Sequence, residues 1–272
     1  MQRIILEEIE ALPPLPKTVL EIEMFRKKSN KDISELLDII DKDPLLIATL
    51  LKVANSALFS FRSKVETASK AVSLLGINLT ISVVISSSLQ ELLHTNLSAY
   101  GIDCDDFARA SNLASNLASM WLSRVSLELK EELILPVFLQ ETGKFIIANL
   151  IERNKQTELF HRELILGRAI KDVEQEFTGT TTSNITAAMF KKWELSENLF
   201  NVIECVDEIE KCPQSHLQKT RILEVLKTIC AITDPMSEKN IQKGIEKATL
   251  YKFDVLSLQT AIKKLQEKLL NE

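Results

Sequence analysis

Residues 43–57 read DPLLIATLLKVANSA, and this stretch decides the fold class. Asp43 can accept hydrogen bonds as an N-cap, and Pro44 suits the first helical turn because its missing N–H would have no helical partner there. An apolar run over 45–54 follows, and Asn55 with Ser56 supplies a polar stop. The stretch therefore predicts a capped helix.

The same helical pattern continues in both directions along the chain. Nearly every segment between turn residues repeats apolar side chains every three or four positions, the spacing of one helix face. The 272 residues include only 6 Gly and 7 Pro, too few to separate many short strands. Residues 78–93 contain the β-branched run TISVVI and could form a strand, but no second strand-like run lies near enough to pair with it. We therefore expect an all-α protein with no substantial β-sheet.

A polar segment that contains a glycine, residues 94–103, predicts a boundary between helical units. It divides the chain into an N-terminal helical subdomain over 1–100 and a second helical subdomain over 101–234. Pro235 then begins a C-terminal helical extension over 235–272.

Three elements are predicted within the second subdomain. Apolar periodicity predicts single helices over 129–152 and 158–171. Residues 178–182 form a small polar stretch, which predicts a loop with Ser183 as the cap of the next helix.

The last helix carries a possible dimer seam. Its apolar residues alternate spacings of three and four for about two heptads, as in a coiled coil. Such a short seam is compatible either with packing onto the same chain or with a homodimer through residues 254–272. The seam residues are Val255, Leu258, Ile262, Leu265 and Leu269.

Composition and missing motifs exclude several functions. The net charge of −5 and the pI near 5.5 argue against nucleic-acid binding, because a phosphate backbone requires a basic surface. The apolar runs are shorter than the roughly 18 residues of a membrane span, and the amino terminus lacks a secretory signal, so we expect a cytoplasmic protein without a membrane partner. The 4 cysteines form no CxxC pair, and the sequence contains no phosphate loop, GxGxxG, GxSxG or HExxH motif. The 3 histidines are too far apart in sequence to suggest a metal site: His94, His161 and His216.

A larger set of residues, spread over most of the chain, matches one family pattern. It begins at the Leu-Pro-rich entry 12–16 and includes the Asn55-Ser56-Ala57 segment. The remaining matching residues are Asp43, Pro44, Gly76, Gly143, Lys144 and Trp193. Together they resemble the HDOD family, a non-catalytic relative of the HD and HD-GYP metal-dependent phosphohydrolases of bacteria. The resemblance covers about residues 12–234 and implies an all-helical, HD-like fold.

The resemblance also indicates where HD hydrolases hold their divalent metals with imidazoles and carboxylates. Those positions fall on Ala110, Gln140, Glu141, Thr182, Val206 and Asp207. Only Glu141 and Asp207 retain an anionic ligand. Lys144, three residues after Glu141, can pair with that carboxylate on a helix face. We therefore predict a degenerate site without a metal or other cofactor.

The resemblance implies a non-catalytic signalling module that acts through protein contacts in bacterial signal transduction. No receiver or effector domain is expected within the chain, so its input would arrive by binding an unidentified signalling protein. Two alternatives stay open at this point. One is a phosphohydrolase or phosphodiesterase with an altered metal site, and the other is a nucleotide sensor that binds without cleaving.

Overall fold

The computed structural model describes residues 2–28, 30–56, 59, 64–93 and 96–270, without the side chains of residues 2 and 3. In these ranges the chain forms helices and no strand, which confirms the all-α fold class. The segment for which a strand was the alternative is helical from Ile77 to Leu93.

Sixteen α-helices are present in the described ranges, with two short 3-10 helices at Ser98–Tyr100 and Ile209–Lys211. The α-helices are α1 Gln2–Glu10, α2 Lys17–Arg26, α3 Ile33–Ile40, α4 Pro44–Ala54, α5 Ala68–Leu75, α6 Ile77–Leu93, α7 Cys104–Val125, α8 Leu127–Leu139, α9 Lys144–Arg153, α10 Thr157–Ile165, α11 Ile170–Thr178, α12 Thr182–Lys192, α13 Glu197–Glu204, α14 Gln214–Ile229, α15 Glu238–Leu250 and α16 Val255–Leu270.

The helix signal in the opening stretch is accurate. The Asp43 carboxylate accepts a hydrogen bond from Leu45 N–H at 3.0 Å, with Pro44 in the first turn of α4. Asn55 ends this helix and fixes the returning chain, because its side chain donates to the Val65 carbonyl and accepts from Val65 N–H. Ser56 caps the same end by donating to the Val53 carbonyl, whereas Ala57 lies outside the described residues.

Two predicted helices in the second half are wrong in extent. The helix predicted over 129–152 is interrupted after Leu139 and resumes at Lys144 as α9. The helix predicted over 158–171 ends at Ile165, because Gly167 adopts φ +84° and turns the chain into α11. A glycine in this left-handed conformation is a common helix terminator.

The loop predicted over 178–182 is shorter than expected. Helix α11 includes Thr178, and Gly179 at φ +75° makes the turn. Thr181 occupies the N-cap position of α12, so Ser183 lies in the first turn and is not the cap.

The polar segment predicted to be a linker, residues 94–103, supplies a core side chain. Tyr100 lies in a 3-10 helix, is fully buried and contacts Phe160 edge to face at a centroid distance of 5.2 Å. His94 lies outside the described residues. The subdomain division at this segment stays a prediction.

Long helix α7 lies at the centre of the second half, where it packs against α8, α14 and α16. The entry segment also reaches this half, since Trp193 Nε1–H donates to the Pro13 carbonyl at 2.9 Å. Gly76 ends α5 at φ +80°, and α6 then packs against both α4 and α8. A continuous apolar core results, extending from α1 to α16.

Among the residues that the structure describes, one helical run, 127–153, is long and apolar enough to cross a membrane by composition alone, and the sharply bent pair α5–α6 would be a second only if it formed one span. The run 127–153 comprises α8 and α9, and 89% of its apolar window is buried inside the protein. A core helix of a folded domain has the same properties, so this run is weak evidence for a span.

Candidate functional site: a buried charge cluster

The turn between α8 and α9 positions the first residues of the site. Gly143 has an ordinary helical φ of −60°, so its role is spatial. A Cβ at this position would lie 2.5 Å from the Thr182 carbonyl oxygen and 2.8 Å from Thr186 Oγ1. The close approach lets Gly143 N–H donate to Thr186 Oγ1 at 2.8 Å, and it brings the start of α9 against α12.

Lys144, the next residue, is buried with only 1% of its side chain exposed. Its Nζ lies 2.7 Å from Glu141 Oε2 and 2.9 Å from Glu174 Oε1, and it donates to Thr182 Oγ1 at 3.0 Å. The predicted pair with Glu141 therefore forms. The prediction of a helix-face pair is wrong, because the ammonium lies in the interior and contacts two carboxylates from different elements.

Glu174 on α11 is the most enclosed carboxylate of the site, at 1% exposure. Besides Lys144, it accepts from Tyr100 OH at 2.9 Å and from the Thr182 hydroxyl at 2.6 Å, both at Oε1. Its Oε2 accepts from Thr182 N–H at 2.8 Å, in the first turn of α12. A buried carboxylate is costly unless it is paired and hydrogen-bonded, and here both oxygens have donors.

Burial and charge shift the ionisation of this group of residues in a consistent direction. Burial, followed by the charge of Glu174, raises the pKa of Tyr100 well above its usual value, which keeps the phenol protonated as a donor. Burial alone would lower the pKa of Lys144. The Glu141 and Glu174 carboxylates outweigh that effect and hold the pKa of Lys144 above its ordinary value.

A second lysine, Lys227 on α14, occupies the other side of Glu141. Its Nζ lies 2.8 and 2.9 Å from the two oxygens of Asp207 and 3.5 Å from Glu141 Oε1. Asp207 also accepts from Ser183 N–H at 3.1 Å, while its own N–H donates to Ser183 Oγ. The carboxylate is therefore tied to both α12 and α14.

These contacts determine the charge of the pair. Burial would raise the pKa of Asp207, but the adjacent Lys227 ammonium and its hydrogen bonds lower it to about 2. Burial would likewise lower the pKa of Lys227, and the Asp207 and Glu141 carboxylates raise it well above its ordinary value. Both groups are charged at neutral pH.

Together these side chains form one connected array, which we call the charge cluster. Glu141 is the bridge, because one of its oxygens faces each lysine. Three carboxylates and two ammonium groups leave the cluster with one excess negative charge. Its members are Glu141, Lys144, Glu174, Asp207 and Lys227.

The structure brings together some of the positions that the sequence aligned with HD metal ligands. Glu141 and Asp207 share Lys227, and Thr182 binds Lys144. Val206 is a buried apolar residue at the edge of the same region. Ala110 is buried in α7 and offers no polar side-chain atom.

The donor set does not fit the metal site of an HD hydrolase. No group of three or more His, Cys, Asp or Glu suited to a metal ion occurs among the residues that the structure describes. Gln140 is buried, and its Oε1 has no hydrogen-bond partner within the same ranges, so a neutral oxygen stands where an imidazole is expected. The carboxylates that remain are each contacted by an ammonium group.

Sequence reasoning missed Glu174 and Lys227 of the cluster, and Tyr100, whose hydroxyl donates to Glu174. Tyr100 fell in a segment interpreted as a linker, and Glu174 lies beyond the incorrectly extended helix over 158–171. Gly167 was the available signal, since a helix end there would have started α11 in the correct place. Lys227 lies 20 residues from Asp207, and only the packing of α14 brings the two together.

Comparisons with known proteins agree with this fold. The family model of the HDOD domain matches residues 12–209, whereas no curated protein gives a significant match. Among solved structures, a virulence factor from Campylobacter jejuni subsp. jejuni is 24% identical with a TM-score of 0.59, and the match covers 98% of this chain and 96% of that one.

Two further structures are similar. A protein from Shewanella amazonensis SB2B, whose name assigns it provisionally to the phosphohydrolases, is 21% identical with a TM-score of 0.73 over 97% of this chain and 93% of that one. An HDOD domain protein of unknown function from Geobacter sulfurreducens is 17% identical with a TM-score of 0.68 over 97% and 96%. At these low sequence identities, similarity to a solved structure shows the fold alone. The family model, however, spans well over half of the sequence, and on that match the chain belongs to the HDOD family.

Proposed function

We propose that this protein is a non-catalytic signalling module that acts through protein contacts in the bacterial cytoplasm. The proposal goes beyond family membership, which relates the chain to HD-type proteins without deciding whether it catalyses a reaction. It also names a mode of action, in which a signalling protein binds the folded module.

One observation carries the proposal: the carboxylates that a metal would need as ligands are already paired with lysines of the same chain. Lys144 Nζ lies within 3 Å of Glu141 and Glu174, and Lys227 Nζ lies within 3 Å of both oxygens of Asp207. A divalent cation would have to displace two ammonium groups that are already paired with these carboxylates. Without an imidazole ligand, little binding energy is available for that exchange.

Exposed apolar side chains near the cluster support a protein contact. Leu159 and Leu166 lie two helical turns apart on α10 and just after it, and they are 53% and 67% exposed. Large exposed apolar residues close together favour a partner surface, although single ones are common on any protein. Leu166 directly follows Leu164 and Ile165, which line the cleft that opens onto Glu141 and Asp207, whereas Leu159 lies earlier on the same helix.

The enzymatic alternative is tested by metal analysis and turnover. The purified protein is exposed to Mn²⁺, Fe²⁺ or Mg²⁺, desalted and analysed for metal, then assayed with phosphate esters, nucleotides and cyclic dinucleotides. We expect no stoichiometric metal and no turnover above that of a Glu141→Ala control. Metal-dependent turnover that Glu141→Ala abolishes would overturn the proposal.

The partner contact is tested separately by affinity capture from a lysate of the source organism. We expect proteins that the wild-type chain enriches to be lost with Leu159→Ser/Leu166→Ser. They should be retained with Leu250→Ser/Leu256→Ser, a control pair that is 74% and 75% exposed elsewhere on the surface. Equal capture by both double variants contradicts a contact through α10.

A further inference from the structure

A solvent-accessible cleft lies directly above the charge cluster. Its volume is about 430 Å³, within the range of small-molecule sites. The turn between α10 and α11 forms one wall, and α14 with α15 forms the other. Glu141, Asp207 and Lys227 reach it from the cluster. We call it the lysine cleft after the side chains described next.

The lining is predominantly basic although the protein as a whole is acidic. Six basic side chains face four acidic ones in the cleft. The basic ones are Arg168, Lys171, Lys227, Lys239, Lys243 and Lys247. Arg168 pairs with Glu163 and Glu176, which lie outside the lining, so the positive charge available to a ligand comes from the lysines.

Helix α15 supplies half of these cations from one face. Lys239, Lys243 and Lys247 are spaced by four residues, which places them in a row along the helix. Lys247 pairs with Glu224. Within the part of the chain that the structure describes, neither Lys239 nor Lys243 forms an ion pair with a carboxylate.

The opposite wall completes the arrangement. Lys239 Nζ reaches across the opening to within 4.0 Å of the position that a Cβ on Gly167 would occupy. Lys171, at the start of α11, donates to the Asp207 carbonyl at 3.3 Å and so is held at the edge of the cleft. Ala169, at the N-cap of α11, has no side chain that could cap the helix, so the positive end of the α11 dipole borders the cleft.

Neutralisation of the charge cluster does not account for the outer lysines. Lys144 and Lys227 already contact all three cluster carboxylates at short distance. Lys239 and Lys243 are exposed and lie on a helix beyond the matched family range, 12–209. Long cationic side chains from two walls around one cavity are the usual arrangement for binding phosphate oxygens.

We infer that the lysine cleft binds a small phosphate-bearing anion between Lys171, Lys239 and Lys243. Apolar residues of the same lining, among them Leu164 and Ile165, offer a surface for the non-phosphate part of a nucleotide. The inference goes beyond the proposed function, because it assigns the module a small-molecule input that requires binding and no cleavage.

The test uses calorimetric titration of the full chain with ATP, inorganic tripolyphosphate and adenosine, in EDTA so that metal-bridged binding is absent. We expect both polyanions to bind, adenosine alone to bind at least tenfold more weakly, and added salt to weaken the binding of the anions. Lys239→Ala/Lys243→Ala should lower the affinity by about tenfold or more, which corresponds to about 1.4 kcal/mol.

Lys263→Ala/Lys264→Ala on α16 is the matched control, since both of its lysines are exposed and it removes the same charge. Its affinity should stay within about threefold of the wild type. Binding of ATP without tripolyphosphate would still support the site, with the apolar wall contributing. Absence of binding for both anions, or equal losses in the two double variants, would overturn the inference. Turnover is measured in parallel samples without EDTA and with added Mg²⁺ or Mn²⁺, so hydrolysis there would refute the proposed function and leave the binding result intact.

Discussion

Lys227 Nζ lies 2.8 Å from Asp207 Oδ1 and 2.9 Å from Oδ2, so a single ammonium group satisfies both oxygens of a largely buried carboxylate. The second hydrogen-bond donor to this carboxylate comes from α12, through Ser183 N–H. The pair therefore joins α14 to α12, so the charge cluster contributes to helix packing.

The first prediction concerns pH. The pKa of Asp207 is about 2 in the folded protein, below its ordinary value of 3.8. A carboxyl with a lowered folded pKa contributes stability above its unfolded pKa, and that contribution disappears as the pH falls through the folded pKa. We expect a loss of about 2 kcal/mol between about pH 4 and pH 2 from this group, since one pKa unit is worth about 1.4 kcal/mol.

The measurement is urea unfolding at a series of pH values for wild type and Asp207→Asn. The variant should be less stable at pH 7, and the difference should shrink below about pH 4. Asp38→Asn, at an exposed position on α3, serves as the control and should follow the wild-type curve. Parallel pH curves for wild type and Asp207→Asn would contradict the assignment.

The second prediction concerns Lys144. Lys144→Met keeps the bulk of the side chain but leaves Glu141 and Glu174 without their shared cation. Removal of one partner from a buried ionic network typically costs about 3–5 kcal/mol, because the remaining charge is uncompensated. We expect a loss of that order in the free energy of unfolding, measured by urea denaturation at pH 7.

A double variant separates the charge effect from packing. Lys144→Met/Glu174→Gln removes one negative charge together with the positive one, so it should be more stable than Lys144→Met alone. If the double variant is destabilised by the sum of the two single changes, the two residues do not interact and the cluster is misassigned.

Much of the fold was predictable from the sequence because its signals are local. The Asp43-Pro44 start of α4 and the glycine at position 76 each act within one helical turn, and both were correctly interpreted. The lack of a second strand-like run nearby correctly identified α6 as a helix despite its β-branched run. Helix ends were less accurate at the turns 140–143 and near Gly167, because the periodic apolar residues resume within a few positions of each turn.

Only the part of the candidate site that is local in sequence was predictable. Glu141 and Lys144 are neighbours on the chain, and the motif around them suggested their pair. Glu174 lies 30 residues from Lys144, and its carboxylate is buried only because α11 packs on α9. A buried glutamate has the same sequence signature as an exposed one, so tertiary packing alone identifies it.

The third prediction concerns Gly143. Alanine in place of a glycine with helical φ normally stabilises a protein by about 0.4–1 kcal/mol, since it restricts the unfolded chain. Here the new methyl group would meet the backbone of α12, with the Thr182 carbonyl oxygen at 2.5 Å. We expect Gly143→Ala to destabilise the protein by about 1–3 kcal/mol, as overpacking does. Denaturant unfolding reports the sign directly, and any stabilisation would show that α9 and α12 do not approach this closely.

The fourth prediction concerns the C-terminal helix, where the sequence left packing and dimerisation open. Leu258, Ile262 and Leu265, three of the seam residues, are buried, and α16 packs against α7 of its own chain. Leu265→Ala should therefore cost about 2–5 kcal/mol, in the range of other leucine deletions from protein cores. Leu256→Ala, at a position that is 75% exposed, should change stability by less than about 0.5 kcal/mol.

Mass measurements on the same two variants address the possible homodimer through residues 254–272, of which 271 and 272 lie outside the described ranges. A seam that belongs to the core of one chain is not available to a second copy, so Leu265→Ala should unfold more readily while its native mass stays that of the wild type. Light scattering at several concentrations measures that mass, and unfolding gives the stability. If Leu265→Ala instead halves the mass and leaves the stability of the resulting monomer unchanged, the helix serves a dimer and its packing on α7 is secondary.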